Sequence, residues 1–391
     1  MHYTLSLLLC LLLNCLVVFQ SKSQELTLAY ALENYNFQKI FDDFSEKTHV
    51  QLKIKNFKNN ELKSALIQGA NMRQLPDIVI VPSDFVGLSE LGFSTIPESW
   101  LVPELSTESL QSAKVAGDYK GIPIIFGNHL LLYYNKSLVQ TPATDWQTLI
   151  QQKQSLPENT TLIGWNYYEM YWFIPFLGAF GEFPYVNGKV NLNTAGMKQA
   201  LSWYKQLADD KIVDKLCDYE CNLNAFISEQ QAYTINGSWA FNHFKEKLGD
   251  NLGIAMLPQY KGKQMRPYFS SHVIAFPNHS LESSAEKKAK LKKFAEFFQQ
   301  KRAQAAIWHQ LKSLPTNKQI IAELTNKADP NLQVIFQQLA QSEPMPNERN
   351  MAIIWEAMLK GVNRYSADIF DNHKAAEYMQ YITERSMQNE P

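Results

Sequence analysis

Between Leu26 and Val81 the hydrophobic spacing switches back and forth between two periods, and the order of the switches fixes the class of fold. Residues 26–31 are a short apolar run, after which Phe37, Ile40, Phe41 and Phe44 recur at the spacing of one helix face. Residues 50–54 alternate, Leu62, Ala65 and Leu66 mark a second helix, and Ile78 opens a buried run to Val81 behind Pro76 and Asp77. Short apolar or alternating runs predict strands, and recurrences of three and four predict helices. The resulting order, β-α-β-α-β, implies a parallel sheet with right-handed crossovers. Such a sheet meets its ligands beyond the carboxyl ends of its strands, so the loops after Ala31 and Val81 bring Glu33, Asn34 and Asp84 to face one.

A second α/β pattern begins after the extended run 122–126, and residues 273–276 resemble a strand returning to the first sheet. Two such crossings imply interleaved lobes joined by a hinge, each lobe a sheet flanked by helices. A chain of 391 residues, 45% hydrophobic, has the size for two lobes. The expected division is an amino-terminal lobe of 24–125 with 270–326 and a carboxy-terminal lobe of 126–269 with 327–391, with crossings near Phe126, Ser270 and Asn326. The tail is helical, with Leu332, Ile335, Phe336 and Leu339 on one stripe and Met351, Ile354, Trp355 and Met358 on another. A formal net charge of -1 without a long basic run excludes the electrostatic footprint of a nucleic-acid binder. The lysines of 287–293 are interleaved with Leu291, Phe294, Ala295 and Phe298 at helical spacing, as on a solvated helix face.

Residues 1–23 form an apolar run too short for a comfortable membrane anchor, ending in the small-x-small signal Ser21-Lys22-Ser23. A secretory signal peptide cleaved near Ser23 is expected, releasing a periplasmic protein. A lipid anchor at Cys15 would need small residues where Leu13 and Asn14 stand, so a freely diffusing monomer is expected. Of the four cysteines, Cys10 and Cys15 fall in the leader, while Cys217 and Cys221 lie in the segment DKLCDYECN. In an oxidising compartment this pair reads as a local disulfide that rigidifies a surface loop rather than supporting the ligand site, since a metal site would need more ligands.

The sequence holds no phosphate-binding glycine loop, no nucleophile elbow and no paired histidines at metal spacing, so neither a catalytic role nor a cofactor is expected. Its aromatic share of 12% stands out instead. The segment Trp165-Asn166-Tyr167-Tyr168-Glu169-Met170-Tyr171-Trp172 mixes five aromatic rings with a carboxylate. Sugars combine apolar C–H faces with a rim of hydroxyls, which flat rings beside carboxylates or amides satisfy. Glu169 and Tyr171 supply both, whereas Trp172 and Phe173 are expected to fill the core.

The segment YTINGSWAF at residues 233–241, followed by GIAMLPQYKGKQMRPY from Gly253, closely resembles the maltose/maltodextrin-binding proteins of bacterial ABC importers. Pro76-Asp77-Ile78 with Asp84, the stretch YKGIPIIFGNHLLLYYNKSLV, Glu169-Met170-Tyr171 and MPNERNMAIIWEAM follow in the family's order. The resemblance implies a two-lobed periplasmic-binding-protein fold of type II that closes over an oligosaccharide and presents it to an importer permease, or to a chemoreceptor or sensor. It implies hydroxyl ligands at Glu33, Asp84, Asn128 and Glu169, stacking rings at Tyr171, Trp239 and Trp355, and a site position at Glu356. Val81, Phe85, Asn128, Glu356 and Leu359 depart from the family's residues, so the sugar need not be maltose. Two other readings stand beside this one: the same fold with another small solute, and a glycoside hydrolase pairing Glu169 with Asp84 or Glu33.

Overall fold

The computed structural model describes residues 25–31, 36–326, 329–348 and 350–388. The expected leader and Glu33 lie outside the described residues. Chain order runs β1 (Leu26–Tyr30), α1 (Gln38–Thr48), β2 (Leu52–Asn56), α2 (Asn59–Asn71), β3 (Ile78–Pro82), β4 (Ile122–Gly127), β5 (Leu130–Asn135) and β6 (Thr161–Gly164). Then follow α3 (Met170–Gly178), α4 (Ala195–Asp209), α5 (Tyr219–Ile227), β7 (Gln231–Gly237), β8 (Leu252–Ala255) and β9 (Tyr268–Ala275). The remainder contains α6 (Ala285–Gln299), α7 (Lys301–Leu311), β10 (Leu314–Pro315), α8 (Pro330–Ala340), α9 (Asn350–Ser366) and α10 (Asn372–Gln388).

The first sheet has the order β10-β4-β9-β3-β1-β2. Strand β1 pairs in parallel with β2 and β3, as the period switches imply, whereas β9 runs antiparallel to both β3 and β4. The sheet is therefore mixed, and the returning strand is longer than the 273–276 expected and wedged into its centre. Successive residues of β1 point to opposite faces. Leu26, Leu28 and Tyr30 pack with Phe41 and Phe44 of α1 and Phe294 and Phe298 of α6, while Ala29 packs with Val79, Val81 and with Leu62 and Leu66 of α2. Leu291, Phe294, Ala295 and Phe298 are all buried, and Lys288 and Lys293 lie on the solvated side of α6 as expected; Lys287 departs from that expectation and turns inward to an acidic partner. Each fully buried side chain of this size contributes about 1.5–3 kcal/mol.

The second sheet has the order β8-β5-β7-β6, with β7 parallel to β6 and antiparallel to β5. Its cores differ by face: Leu130 and Leu132 of β5 enter one cluster, and Leu131 and Tyr133 enter another. Trp165 and Tyr167 are buried in the first of these. Their polar atoms are satisfied through Tyr204, whose hydroxyl accepts from the Trp165 indole at 2.8 Å and donates to the Tyr167 carbonyl at 2.8 Å. These two rings of the aromatic segment are core residues, not part of a polar turn, and Trp172 and Phe173 are buried as expected.

Buried Asp77, just before β3, ties the first sheet to its helical layer. Its carboxylate accepts from the backbone N–H and the hydroxyl of Thr27, both at 2.9 Å, and is ion-paired with Lys287 of α6. Removing one partner of a buried pair leaves the rest desolvated and unmatched. Asp77→Ala is therefore expected to lower the unfolding free energy by about 2–4 kcal/mol, and Asp77→Asn by less, as read from chemical denaturation midpoints.

Candidate functional site

The chain leaves the first sheet at Gly127 and enters the second at Leu130, and the connection is held in an unusual backbone conformation. Gly127 has φ 112° and Asn128 has φ 48°. The first of these suits only glycine, and asparagine is one of the few other residues that tolerates the second. The Asn128 side chain donates to the Ser270 hydroxyl at 2.8 Å, joining this crossing to the one at the start of β9. Its carbonyl accepts from the Tyr171 hydroxyl at 2.6 Å, and that hydroxyl also lies 3.1 Å from the Tyr268 carbonyl. Tyr171 is thus fixed to both crossings by its polar end.

Tyr171 belongs to the first turn of α3, and Glu169 precedes that helix. Burial raises the pKa of Glu169, and the nearby N–H groups of Tyr171 and Met170 oppose the rise without a cap hydrogen bond. The Glu169 side chain keeps access to solvent. Asp84 sits in the short turn Ser83–Gly87 after β3. Its pKa is raised by burial and drawn back by its own backbone N–H and by Lys63. The Asp84 charge in turn helps raise the pKa of Tyr171, behind the larger effect of burial.

Trp239 follows β7 and folds back over Gly237, where a Cβ would come within 1.9 Å of the indole ring. That contact explains the glycine in Asn236-Gly237-Ser238-Trp239. Trp172 meets the indole edge-on at 5.9 Å and Tyr171 is tilted against it at 6.4 Å. The Trp239 N–H donates to the Tyr219 hydroxyl at 3.2 Å. Trp355, half-buried on α9, stands edge-on to Tyr268 at 6.2 Å. Glu356 is exposed and its carboxylate turns to Lys360 at 2.5 Å, so the structure does not gather it with the others.

A cavity of about 330 Å³ opens between the two sheets. One wall carries Ala31 after β1, Pro82 at the end of β3 and Phe85 beyond it, and the facing wall carries Trp239 and Phe241, which follow β7. Phe126, Asn128 and His272 form its base at the crossings. Of the residues expected from the sequence, Asn128 and Trp239 line this cavity, and Tyr171 joins them through contacts with both. Tyr219, Phe85, Phe241 and His272 were not singled out as site residues. The only hint for Tyr219 was an aromatic ring between two cysteines.

Residues 39–334 match the family model described as bacterial extracellular solute-binding protein. The chain belongs to this family. Its members bind solutes, which accords with a role in binding rather than catalysis and with the export expected from the leader. Among curated relatives of this solute-binding protein is the maltooligosaccharide ABC transporter solute-binding lipoprotein of Streptococcus pneumoniae strain R6, 26% identical over 316 residues, covering 72% of this chain and 69% of the relative. The same protein from strain TIGR4 matches with the same identity and coverage. Among solved structures, the maltose/maltodextrin-binding domain MalE from Bdellovibrio bacteriovorus bound to maltotriose superposes with a TM-score of 0.80 at 23% identity, over 93% of this chain and all of that one. This likeness establishes the two-lobed α/β fold.

Two buried histidines, His272 at the base of the cavity and His129 beside the crossing, make the fold sensitive to acid. Burial lowers the pKa of His129 and of His272 from 6.5 to about 4, against a smaller upward pull on His129 from the Ile335 carbonyl 3.0 Å away. Below pH 6.5 the unfolded chain takes up protons here that the native protein binds only near pH 4. Stability therefore falls as pH drops through that window, and these two groups add no further loss below it. Urea midpoints should decline from pH 7 to pH 4.5, and the decline should be shallower in His272→Phe.

Proposed function

We propose that this protein captures a maltodextrin-like oligosaccharide between its lobes and presents it to the permease of an ABC importer. The observation that carries the reading is the convergence on one cavity of Trp239, backed by Tyr171 and Trp172, with Asn128 at its base. Pyranose faces stack on such rings while hydroxyls find the carboxylates and amides. The maltooligosaccharide transport of the pneumococcal relatives and the maltotriose in the Bdellovibrio domain support the same ligand class.

In this reading Trp239 and Trp355 are the stacking platforms, Tyr171 is the ring fixed at the hinge, and Glu169, Asp84, Asn128 and Glu33 take hydroxyls. Glu356 would reach a ligand only by releasing Lys360. The lobes would comprise 24–125 with 270–326, and 126–269 with 327–391. A chemoreceptor or sensor that recognises the closed form is a further partner of the same surface.

Calorimetric titration with maltotriose tests the assignment. Trp239→Ala and Trp355→Ala are each expected to weaken binding by roughly 1–3 kcal/mol, the worth of one stacked ring. Glu169→Gln should lose less than Glu169→Ala because the amide keeps an acceptor. Wild-type affinity in all of these variants would remove the residues from the site.

Closure gives an independent reading. Hinge motion about the crossings near Phe126, Ser270 and Asn326 should reduce the radius of gyration in solution scattering when ligand saturates the protein. An unchanged radius with tightly bound sugar would refute the two-jaw mechanism.

A further inference from the structure

The Cys217–Cys221 disulfide is formed, and it does not lie on an indifferent surface loop. The turn it closes contains Tyr219, whose hydroxyl accepts the indole N–H of Trp239. The Tyr219 ring also stands edge-on to Trp172 at 6.1 Å. We propose that the bridge is a positioning device for the ligand cleft: it fixes the first turn of α5 so that Tyr219 sets the orientation of the Trp239 indole within its plane. The inference rests on the reading of Trp239 as a stacking platform for its effect on affinity, but not for the positioning itself.

The local geometry explains why a covalent tie is placed here. Tyr219 is the first residue of α5, where backbone N–H groups lack intrahelical partners and helices fray. The bridge spans this end, joining Cys217 before the helix to Cys221 inside its first turn. Polar contacts brace the same turn. Asp218 accepts the Cys221 N–H at 2.9 Å, and the Asn222 amide reaches the carbonyls of Cys217 at 2.7 Å and of Trp165 at 2.9 Å. The last contact anchors the turn to the residue that follows β6.

The Trp239 ring is held from below by Gly237 and at its flank by Trp172, but neither contact fixes rotation within the ring plane. The directional restraint is the hydrogen bond to Tyr219. A bridge between residues four apart closes so little chain that its effect on the unfolded state is small. Its consequence is therefore local order, which the oxidising space outside the cell sustains.

The test uses Cys217→Ser/Cys221→Ser, Tyr219→Phe and the variant combining all three changes. In ligand-free protein, the Trp239 indole N–H resonance, assigned through Trp239→Phe, should shift and exchange faster with water in the bridge-free variant and in Tyr219→Phe alike. With maltotriose as probe, bridge removal and Tyr219→Phe should each weaken binding roughly three- to tenfold, and the combined variant should bind no worse than Tyr219→Phe. The melting temperature should change little. An indole resonance unaffected by bridge removal, or losses that multiply in the combined variant, would overturn the proposal. If the resonance responds as expected but the wild type binds no maltodextrin, the positioning holds and the assigned ligand is wrong.

Discussion

The whole molecule depends on the crossing at Gly127 and Asn128. Strand β4 is central to the first sheet and β5 is central to the second, and two residues with positive φ turn the chain from one into the other. The same connection supplies the amide that links to Ser270 and the carbonyl that receives Tyr171. A single backbone conformation therefore sets the path between lobes, joins two of the crossings and anchors a ring of the cleft. Because buried backbone groups must be paired, each of these contacts is costly to lose and the crossing is held from several sides.

Much of this architecture is legible in the sequence because local spacing encodes it. The strands and helices from β1 to β3 follow from changes of hydrophobic period, and so does the buried stripe on α6. What spacing does not encode is pairing at long range. The residues of β9 give no sign that they will lie antiparallel between β3 and β4, since that choice depends on partners far away in the chain. The parallel sheet implied by residues 26–81 is correct for β1, β2 and β3 and incomplete for the sheet as a whole.

The site was less legible, for a different reason. Aromatic rings in a core and aromatic rings in a sugar cleft are the same residues, and only their surroundings distinguish them. Trp165 and Tyr167 sit in the same short segment as Tyr171, yet their polar atoms are spent on Tyr204 while the Tyr171 hydroxyl goes to the crossings. Tyr219 escaped notice because its importance comes from Trp239, twenty positions later. The cysteine spacing announced a bridge but not what the bridge holds.

The central place of β9 also governs how the protein is made. Strand β3 has a partner on one side in β1, but on its other side it waits for residues 268–275, and β4 waits for the same strand. All the strands of the second sheet lie between β4 and β9 in the chain. A polypeptide emerging amino end first therefore completes its second sheet before it can close its first. Contacts of such sequence separation slow folding, and the unfinished first sheet offers the raw edges of β3 and β4 to other chains in the meantime. Interleaving the two sheets along the chain joins them by several strands, and it lengthens the interval in which the nascent chain is vulnerable to aggregation.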